Sequence, residues 1–449
     1  MKRHILESKR SVPLVDSCDV AVAGGGIAGV AAALAAARHG VKVCLIEKES
    51  ALGGLATLGN IVYYLPLCDG RGNQIIGGIG EELLKLSIGD NPRAFPSCWK
   101  KGGSKKARLK IRYQATFNPA YFMLEMERLI IEHKIRLWYD TRFCAVNKTG
   151  RIINALIVEN KSGRCGIECK TVVDASGDAD VCAAAGENTV SLGTNVRSGW
   201  FYYYDGQKVR LNQFSEMYDE SGLRVPGGRR GFAGDCAESV TAQVIETRQM
   251  IRKACRDLGK KFGSHAICPL MLSVIPALRM TRRLKGAFEL MESDERKYFD
   301  DTVGMTGDWR KSGPVYYLPL SSLRATQTDN LIAAGRCVSA GPGAWDIVRA
   351  IPTCAVTGEI AGTTAALASR NNKGHIALID KTNLQSVLRR QGVIMDSRFS
   401  LRRRMPEAAL RPGDGVEGER GATGHVAGHE IRYHNRARTP RDAAAGRGP

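Results

Sequence analysis

The chain has 449 residues, of which 43% are hydrophobic, and its formal net charge is +20. This length and hydrophobic content allow a large core and more than one domain. Because Lys and Arg are dispersed and no nucleic-acid recognition module is visible, we predict no nucleic-acid partner. The sharper basic cluster at 100–112 is interpreted as a solvated loop, with an anionic substrate or an acidic partner as the alternative.

Residues 1–18 are predicted to form an N-terminal extension. They include basic residues but lack the apolar stretch of a signal peptide. The longest apolar run, at 28–37, is far shorter than a membrane span. The sequence therefore predicts a soluble, cytoplasmic protein without a membrane span.

Residues 19–47 have the pattern of a dinucleotide-binding βαβ unit. A predicted strand at 19–23 precedes a glycine turn, an alanine-rich helix that begins near Ile27, and a second strand at 42–47. Gly24 would permit the tight turn, Gly26 would let the backbone approach a pyrophosphate, and Gly29 would let the helix pack on the strand. The free N–H groups at the helix N-terminus would face the phosphates.

Glu47 ends the second strand of this unit, about twenty residues after the glycines. A carboxylate at this place accepts hydrogen bonds from both ribose hydroxyls and disfavours a 2′-phosphate. We therefore do not expect NADP. The βαβ unit alone does not separate NAD from FAD.

Two later segments narrow the choice of cofactor. Residues 171–186 have the pattern of an apolar strand, a small turn with acidic residues and an alanine-rich helix. Residues 330–368 have the pattern of a strand, a glycine turn with Arg336, a loop and a helix that begins near Pro352. Together with the βαβ unit they resemble the FAD-dependent oxidoreductase family, whose members include relatives of the flavoprotein component of heterodisulfide reductase. The resemblance covers about residues 19–393 and implies FAD as the cofactor.

The fingerprint and the resemblance together assign a set of cofactor-binding residues. In that family the first βαβ unit holds the ADP half of FAD, a D-A-[ST]-G-D stretch lies beside the phosphates, and an N-L-x-x-A-G-R segment returns to the flavin. The residues at matching positions are Gly24, Gly26, Ile27, Ala28, Gly29, Glu47, Lys48, Gly53, Gly54, Val146, Ala175, Ser176, Gly177, Asp178, Gly335, Arg336, Asp346 and Arg349.

The stretch 275–286 is similar to an arginine-rich segment of the same family. Arg279, Arg282 and Arg283 lie on matching positions, whereas Met280 stands where the family has an acidic residue, which puts any role of that acid in doubt. A guanidinium grips a carboxylate with two hydrogen bonds, so these arginines are the candidates for substrate or flavin contact. The alternative is that they form structural salt bridges. For proton transfer His265 and Tyr316 are only weak candidates.

The 13 cysteines suggest two redox hypotheses. An iron–sulfur cluster needs closely spaced thiolates, and only Cys165 and Cys169 are close in sequence, so we predict no metal ligands in this chain; a partner protein could still carry a [4Fe-4S] cluster. The redox-active cysteine pair that some flavoenzymes have after the first βαβ unit is missing, as is a second glycine fingerprint. Cys337 and Cys354 could lie near the flavin, but buried thiols are the simpler interpretation.

The predicted fold class is α/β. A discontinuous, Rossmann-like FAD-binding domain (19–195 and 317–393) carries an inserted α+β substrate domain (196–316). The first part of the FAD-binding domain is predicted to contain a hairpin of strands at 152–160 and 164–173. The inserted domain is predicted to contain a helix around 237–258. From 396 to 449 the chain uses 11 Arg and no Lys. Such a polar segment cannot offset its ordering entropy, so we predict a disordered tail. The abrupt change suggests a frameshift or a fused foreign segment.

The expected function is transfer of hydride or electrons between FAD and a small, anionic organic substrate. The alternative is a flavoprotein electron-transfer subunit that works with an iron–sulfur partner, as in heterodisulfide reductase. A damaged copy that binds FAD poorly is a third hypothesis. The oligomeric state is left open.

Overall fold

The computed structural model describes residues 5, 10–89, 95–219, 225, 229–263 and 267–400. The tail beyond Ser400 and His265 lie outside the described residues. The helices are α1 (Ile27–Arg38), α2 (Gly78–Ile88), α3 (Lys105–Arg108), α4 (Pro119–Glu132), α5 (Asp180–Ala184), α6 (Ala237–Phe262), α7 (Pro342–Val348), α8 (Ile351–Asn371) and α9 (Lys381–Arg390).

The strands of the first half are β1 (Leu14–Ala23), β2 (Val43–Ile46), β3 (Tyr63–Tyr64), β4 (Ala115–Thr116), β5 (Arg136–Trp138), β6 (Arg142–Thr149), β7 (Ile152–Asn160) and β8 (Gly163–Asp174). Those of the second half are β9 (Thr189–Ser191), β10 (Phe201–Tyr204), β11 (Val209–Asn212), β12 (Cys268–Leu272), β13 (Arg282–Leu284), β14 (Thr302–Gly307), β15 (Val315–Pro319) and β16 (Leu331–Ala333).

The central sheet has the order β5-β2-β1-β8-β7-β6, with β16 also paired to β8. Strands β5, β2, β1, β8 and β16 run parallel, while β7 and β6 add an antiparallel edge. The parallel strands are apolar runs because helices cover their faces. The α/β, Rossmann-like fold class is thereby confirmed, as is the predicted hairpin, which is β7–β8.

The folded part of the chain begins earlier and ends later in the structure than the sequence predicts. Strand β1 begins at Leu14 rather than at Asp19, because residues from Leu14 onward already pair with β8. At the other end Phe399 is 9% exposed and packs in the main core, so folded structure continues past the predicted start of the tail at Asp396.

Helices α1 and α8 pack backbone to backbone. A Cβ on Gly358 would lie 2.2 Å from the carbonyl oxygen of Ala28, and one on Gly362 would lie 2.0 Å from that of Ala32. Side chains at these two positions would clash with backbone, which explains the small residues along both helices. The contact places the first turns of both helices beside the carboxyl ends of the parallel strands.

The region predicted as an inserted domain consists of two parts. Strands β11, β10 and β12 form a separate antiparallel sheet covered by α6, with a small core around Phe201, Tyr203 and Ile251. The part after β12 behaves differently, since Met280 and Val303 belong to the main core. Among the described residues, no helix is both long and apolar enough to cross a membrane.

Candidate active site

The glycine turn after β1 combines tight packing with open space. Gly24 has φ +104°, and a Cβ on it would lie 2.4 Å from the carbonyl oxygen of Ala175; one on Gly29 would lie 1.7 Å from that of Gly24. Gly26 differs, because a Cβ there would meet nothing within 4 Å. One side of the turn therefore packs tightly against the protein backbone, and the other side faces an open cleft.

The N-terminus of α1 is suited to bind an anion. Its N-cap is Gly26, no side chain caps it, and its first turn has no acidic residue. The first N–H groups of a helix have no intrahelical acceptor, and the helix dipole places partial positive charge there. The arrangement fits a pyrophosphate.

Glu47 lies at the same cleft, 7% exposed. Its two carboxylate oxygens accept one backbone N–H each, from Gly25 at 2.6 Å and from Glu49 at 2.9 Å. Burial raises the pKa of Glu47, and these N–H donors partly offset that rise. Each oxygen keeps a lone pair that a ribose hydroxyl could use.

The cleft has a volume of ≈ 440 Å³, and most of the predicted site residues line it. Those that line it are Gly24, Gly26, Ile27, Ala28, Glu47, Lys48, Gly53, Gly54, Ala175, Ser176, Gly177, Asp178, Arg282, Gly335, Arg336 and Arg349. Their elements come from distant parts of the sequence and converge at the carboxyl ends of β1, β2, β8 and β16. Ligands of open α/β sheets bind at this edge.

Five predicted residues do not line the cleft. Gly29 lies behind the turn, where it permits close packing, and Val146 packs in β6 against a second core beneath the sheet. Asp346 is 2% exposed and lies behind Arg349. Arg279 donates to the Asp346 carboxylate, and Arg283 is buried in an ion pair with Glu289.

Arg336 holds the turn after β8 in place. It donates to the carbonyl oxygens of Gly177 (2.6 Å) and Leu278 (3.1 Å) and to the Asp178 carboxylate (2.9 Å). Burial alone would lower the pKa of Arg336, but Asp178 outweighs it and the pKa is raised. Thr281 adds a hydroxyl donor to Asp178 at 2.6 Å. The turn after β8 is thus fixed by groups more than a hundred residues away.

Asp346 is shared by two guanidinium groups. Arg279 donates to its Oδ1 at 2.5 Å, and Arg349 donates to the same oxygen at 2.9 and 2.5 Å. Burial alone would raise the pKa of Asp346, but the Arg349 and Arg279 charges outweigh it and hold that pKa below its usual value. The Arg279 guanidinium also lies 4.2 Å from the centre of the Tyr218 ring.

Arg282 and Arg283 occupy opposite sides of β13. Arg282 lines the cleft and donates to the Asp178 carbonyl oxygen and the Asp180 carboxylate at 2.8 and 2.7 Å. Arg283 is ion-paired to Glu289, and burial lowers its pKa. Successive side chains of a strand point to opposite faces, which accounts for the difference.

Sequence reasoning missed several lining residues. Arg142, Asp180 and a segment at the start of α6 (234–237 and Val240) reach the cleft, as do Ile275, Pro276 and Leu278. No local sequence motif identifies these residues. The segment at the start of α6, for example, reaches the cleft only because the insert folds over it. Cys354 lines the cleft and donates to the Arg349 carbonyl oxygen at 3.3 Å, whereas Cys337 is fully buried.

Cys354 is not prepared for nucleophilic chemistry, because burial raises the pKa of its thiol to about 12. Tyr316 is 1% exposed and its hydroxyl donates to the Glu292 carbonyl oxygen at 3.3 Å. In the part of the chain that the structure describes, no group of three or more His, Cys, Asp or Glu side chains is arranged to hold a metal ion.

The parallel sheet, the glycine turn, the open helix N-terminus and the carboxylate of Glu47 in the cleft together indicate a dinucleotide-binding enzyme of the Rossmann type. A family model described as "FAD dependent oxidoreductase" matches residues 19–199 and 204–388. The chain belongs to this family. It is an FAD-dependent oxidoreductase, and its cofactor is FAD.

Two solved structures align with this chain at low sequence identity. The p-nitrophenol 4-monooxygenase PnpA from Pseudomonas putida DLL-E4 is 13% identical, with a TM-score of 0.45 over 83% of this chain and 84% of that chain. A geranylgeranyl bacteriochlorophyll reductase-like protein from Thermoplasma acidophilum is 12% identical, with a TM-score of 0.41 over 86% of this chain and 94% of that one. No curated protein sequence matches this chain significantly.

Proposed function

We propose that this enzyme transfers hydride or electrons between FAD and a small organic substrate that carries a carboxylate. Bound FAD supplies the redox chemistry itself, and the protein supplies binding, orientation and electrostatics. The observation that carries the proposal is the position of Arg349, which lines the cleft while sharing one buried carboxylate, Asp346, with Arg279.

The charge balance at this place favours an anion. Arg279 and Arg349 carry two positive charges against the single negative charge of Asp346, which leaves one positive charge uncompensated. Arg310 also approaches Asp346, at 3.6 Å, but has its own carboxylate in Asp308 at 2.9 Å. A substrate carboxylate near Arg349 would restore neutrality in a partly buried place, where charge pairing is strong.

The N-terminus of α8 adds to this effect. Ile351 and Cys354 of its first turn line the cleft, no side chain caps the helix, and its first turn has no acidic residue. The helix dipole therefore places partial positive charge beside Arg349. The same positive end is suited to stabilise negative charge on the flavin ring.

Each side chain has a distinct proposed role. Arg349 would contact the substrate carboxylate with the guanidinium nitrogen Nη1, which has no acceptor among the described residues. Asp346 and Arg279 would position it, because they fix the plane of the guanidinium. Arg336 and Arg282 would hold the turn at Asp178 and so act on the cofactor rather than on the substrate.

The test is anaerobic reduction of the FAD-loaded enzyme by a panel of small hydroxy and amino acids, each paired with its uncharged amide. The loss of oxidised-flavin absorbance would be followed for wild type and for Arg349→Gln. We expect reduction by one or more acids and not by the amides. The variant should raise the half-saturating concentration by about a hundredfold, as for loss of a charge-assisted pair.

Arg128→Gln serves as the matched control, because Arg128 is an exposed arginine in α4 whose ion pairs with described residues are those to Glu125 and Glu132. Equal reduction by the acids and their amides would contradict the carboxylate assignment. If no metabolite reduces the flavin but a reduced iron–sulfur protein does, the heterodisulfide reductase-like alternative replaces the proposal. Action in the cytoplasm stays a prediction.

A further inference from the structure

A second cleft lies among the ends of helices and shares no lining residue with the cofactor cleft. It is formed by the C-terminal ends of α1 and α9, the N-terminal end of α2 and the middle and C-terminal part of α8. Its lining residues are Ala35, Arg38, His39, Gly78, Ile79, Glu82, Glu359, Leu367, Val387, Arg390 and Gln391.

Glu359 is the unusual residue of the second cleft, because it is only 1% exposed yet lines the cleft. One oxygen, Oε2, accepts the N–H of Ile79 in the first turn of α2 at 2.8 Å. The other oxygen has no hydrogen-bond partner among the described residues. Burial raises the pKa of Glu359 to about 8, so near neutral pH this oxygen offers an O–H donor.

The second cleft also holds one uncompensated cation. The guanidinium of Arg38 is gripped by both oxygens of Glu82, at 2.8 and 2.6 Å, so these two charges cancel. Arg390 donates only to the Ser386 hydroxyl, at 2.9 Å, within the part of the chain that the structure describes. His39 contributes no charge near neutral pH, because burial and the nearby Arg370 lower its pKa.

We propose that the second cleft binds a small monocarboxylate, held between the Arg390 guanidinium and the Glu359 carboxyl group. A planar carboxylate can accept two N–H groups from a guanidinium and one O–H from a neutral acid. The N-terminus of α2, which has no side-chain cap of its own, adds partial positive charge. Phosphate fits less well, since one uncompensated cation does not balance its second negative charge.

Binding at this site should depend on pH through Glu359. Once Glu359 ionises, it repels the ligand carboxylate and can no longer donate. Arg38 from α1 and Glu82 from α2 lie near enough to influence its pKa. Arg390 from α9 and His39 after α1 line the same cleft, and β14, packed against α8, has no charged side chain. Affinity should therefore fall as pH rises through the pKa of Glu359.

The experiment is calorimetric titration of the FAD-loaded full chain with acetate, with chloride at equal ionic strength as the reference. We expect saturable binding at about pH 6.5 and at least about tenfold weaker binding at about pH 9. Arg390→Gln should weaken binding at least about tenfold at the lower pH. Arg389→Gln, which changes the exposed neighbour outside the cleft, should leave it unchanged.

Glu359→Gln provides the decisive variant. Glutamine keeps an acceptor for Ile79 and a donor for the ligand but cannot ionise, so acetate should bind equally at both pH values while the flavin content stays that of wild type. Four results would overturn the proposal: binding that does not saturate, an equal loss in Arg389→Gln, tighter binding of phosphate than of acetate, or an unchanged pH dependence in Glu359→Gln.

Discussion

The glycine-turn end of the cofactor cleft and the inserted sheet with α6 are built on different principles. At the turn, backbone atoms stand so close that only glycine fits, at Gly24 against Ala175 and at Gly29 against Gly24. The insert is held by a few large side chains, such as Phe201, Tyr203 and Ile251, that form a small core of their own. The turn therefore depends on backbone packing against the parallel sheet, whereas the insert depends on side-chain packing between its own sheet and α6.

The strongest test of this contrast is the pair Gly29→Ala and Gly26→Ala. A methyl group on Gly29 would overlap the backbone of Gly24, so we expect a loss of about 5 kcal/mol or more and little folded protein. A methyl group on Gly26 would project into open space, so that variant should fold but bind FAD more weakly. Thermal unfolding and flavin content measure both effects; two equally stable variants would contradict the account.

Glu359→Gln should change the pH dependence of stability. The pKa of Glu359 is raised from 4.5 to about 8 in the folded chain, so the native state binds more protons than the unfolded state between these values. Stability should therefore fall as pH rises from about 4.5 to about 8, by on the order of 4 kcal/mol. The variant should lose this part of the slope in denaturant unfolding measured across that range; an identical slope would show that Glu359 ionises freely.

Ile251→Ala tests whether the insert can loosen independently. Removing this buried side chain from the small core should cost about 3 kcal/mol. We expect earlier proteolytic cleavage within 201–272 while FAD stays bound. Release of FAD at the same rate as cleavage would indicate that the insert and the cofactor domain unfold together.

Arg283→Met should have the smallest effect. The substitution replaces a buried, ion-paired guanidinium by an apolar side chain of similar length, and its partner Glu289 is partly exposed, so we expect a change within about 1 kcal/mol. Flavin reduction should match that of wild type, in contrast to Arg349→Gln. A large fall in the rate of flavin reduction would instead indicate that Arg283 contacts the substrate or the flavin.

The sequence was sufficient for the features that rest on local geometry. The βαβ unit, the β7–β8 hairpin and the start of α8 near Pro352 were all predictable, because each depends on turn residues and on the period of the hydrophobic residues. The pairing of Arg279 with Asp346 joins residues 67 apart and leaves no local signal. Arg283 could have been separated from Arg282 only by recognising β13, a strand of three residues whose partner is β9.

The backbone contact between α1 and α8 has a consequence for cofactor size. Both helices present an uncapped N-terminus to the same cleft, and their packing at Gly358 and Gly362 prevents one from sliding along the other. The spacing between the two positive ends is therefore a fixed length. A flavin without its adenosine half could occupy one end only, so we expect FAD to bind more tightly than shorter flavins.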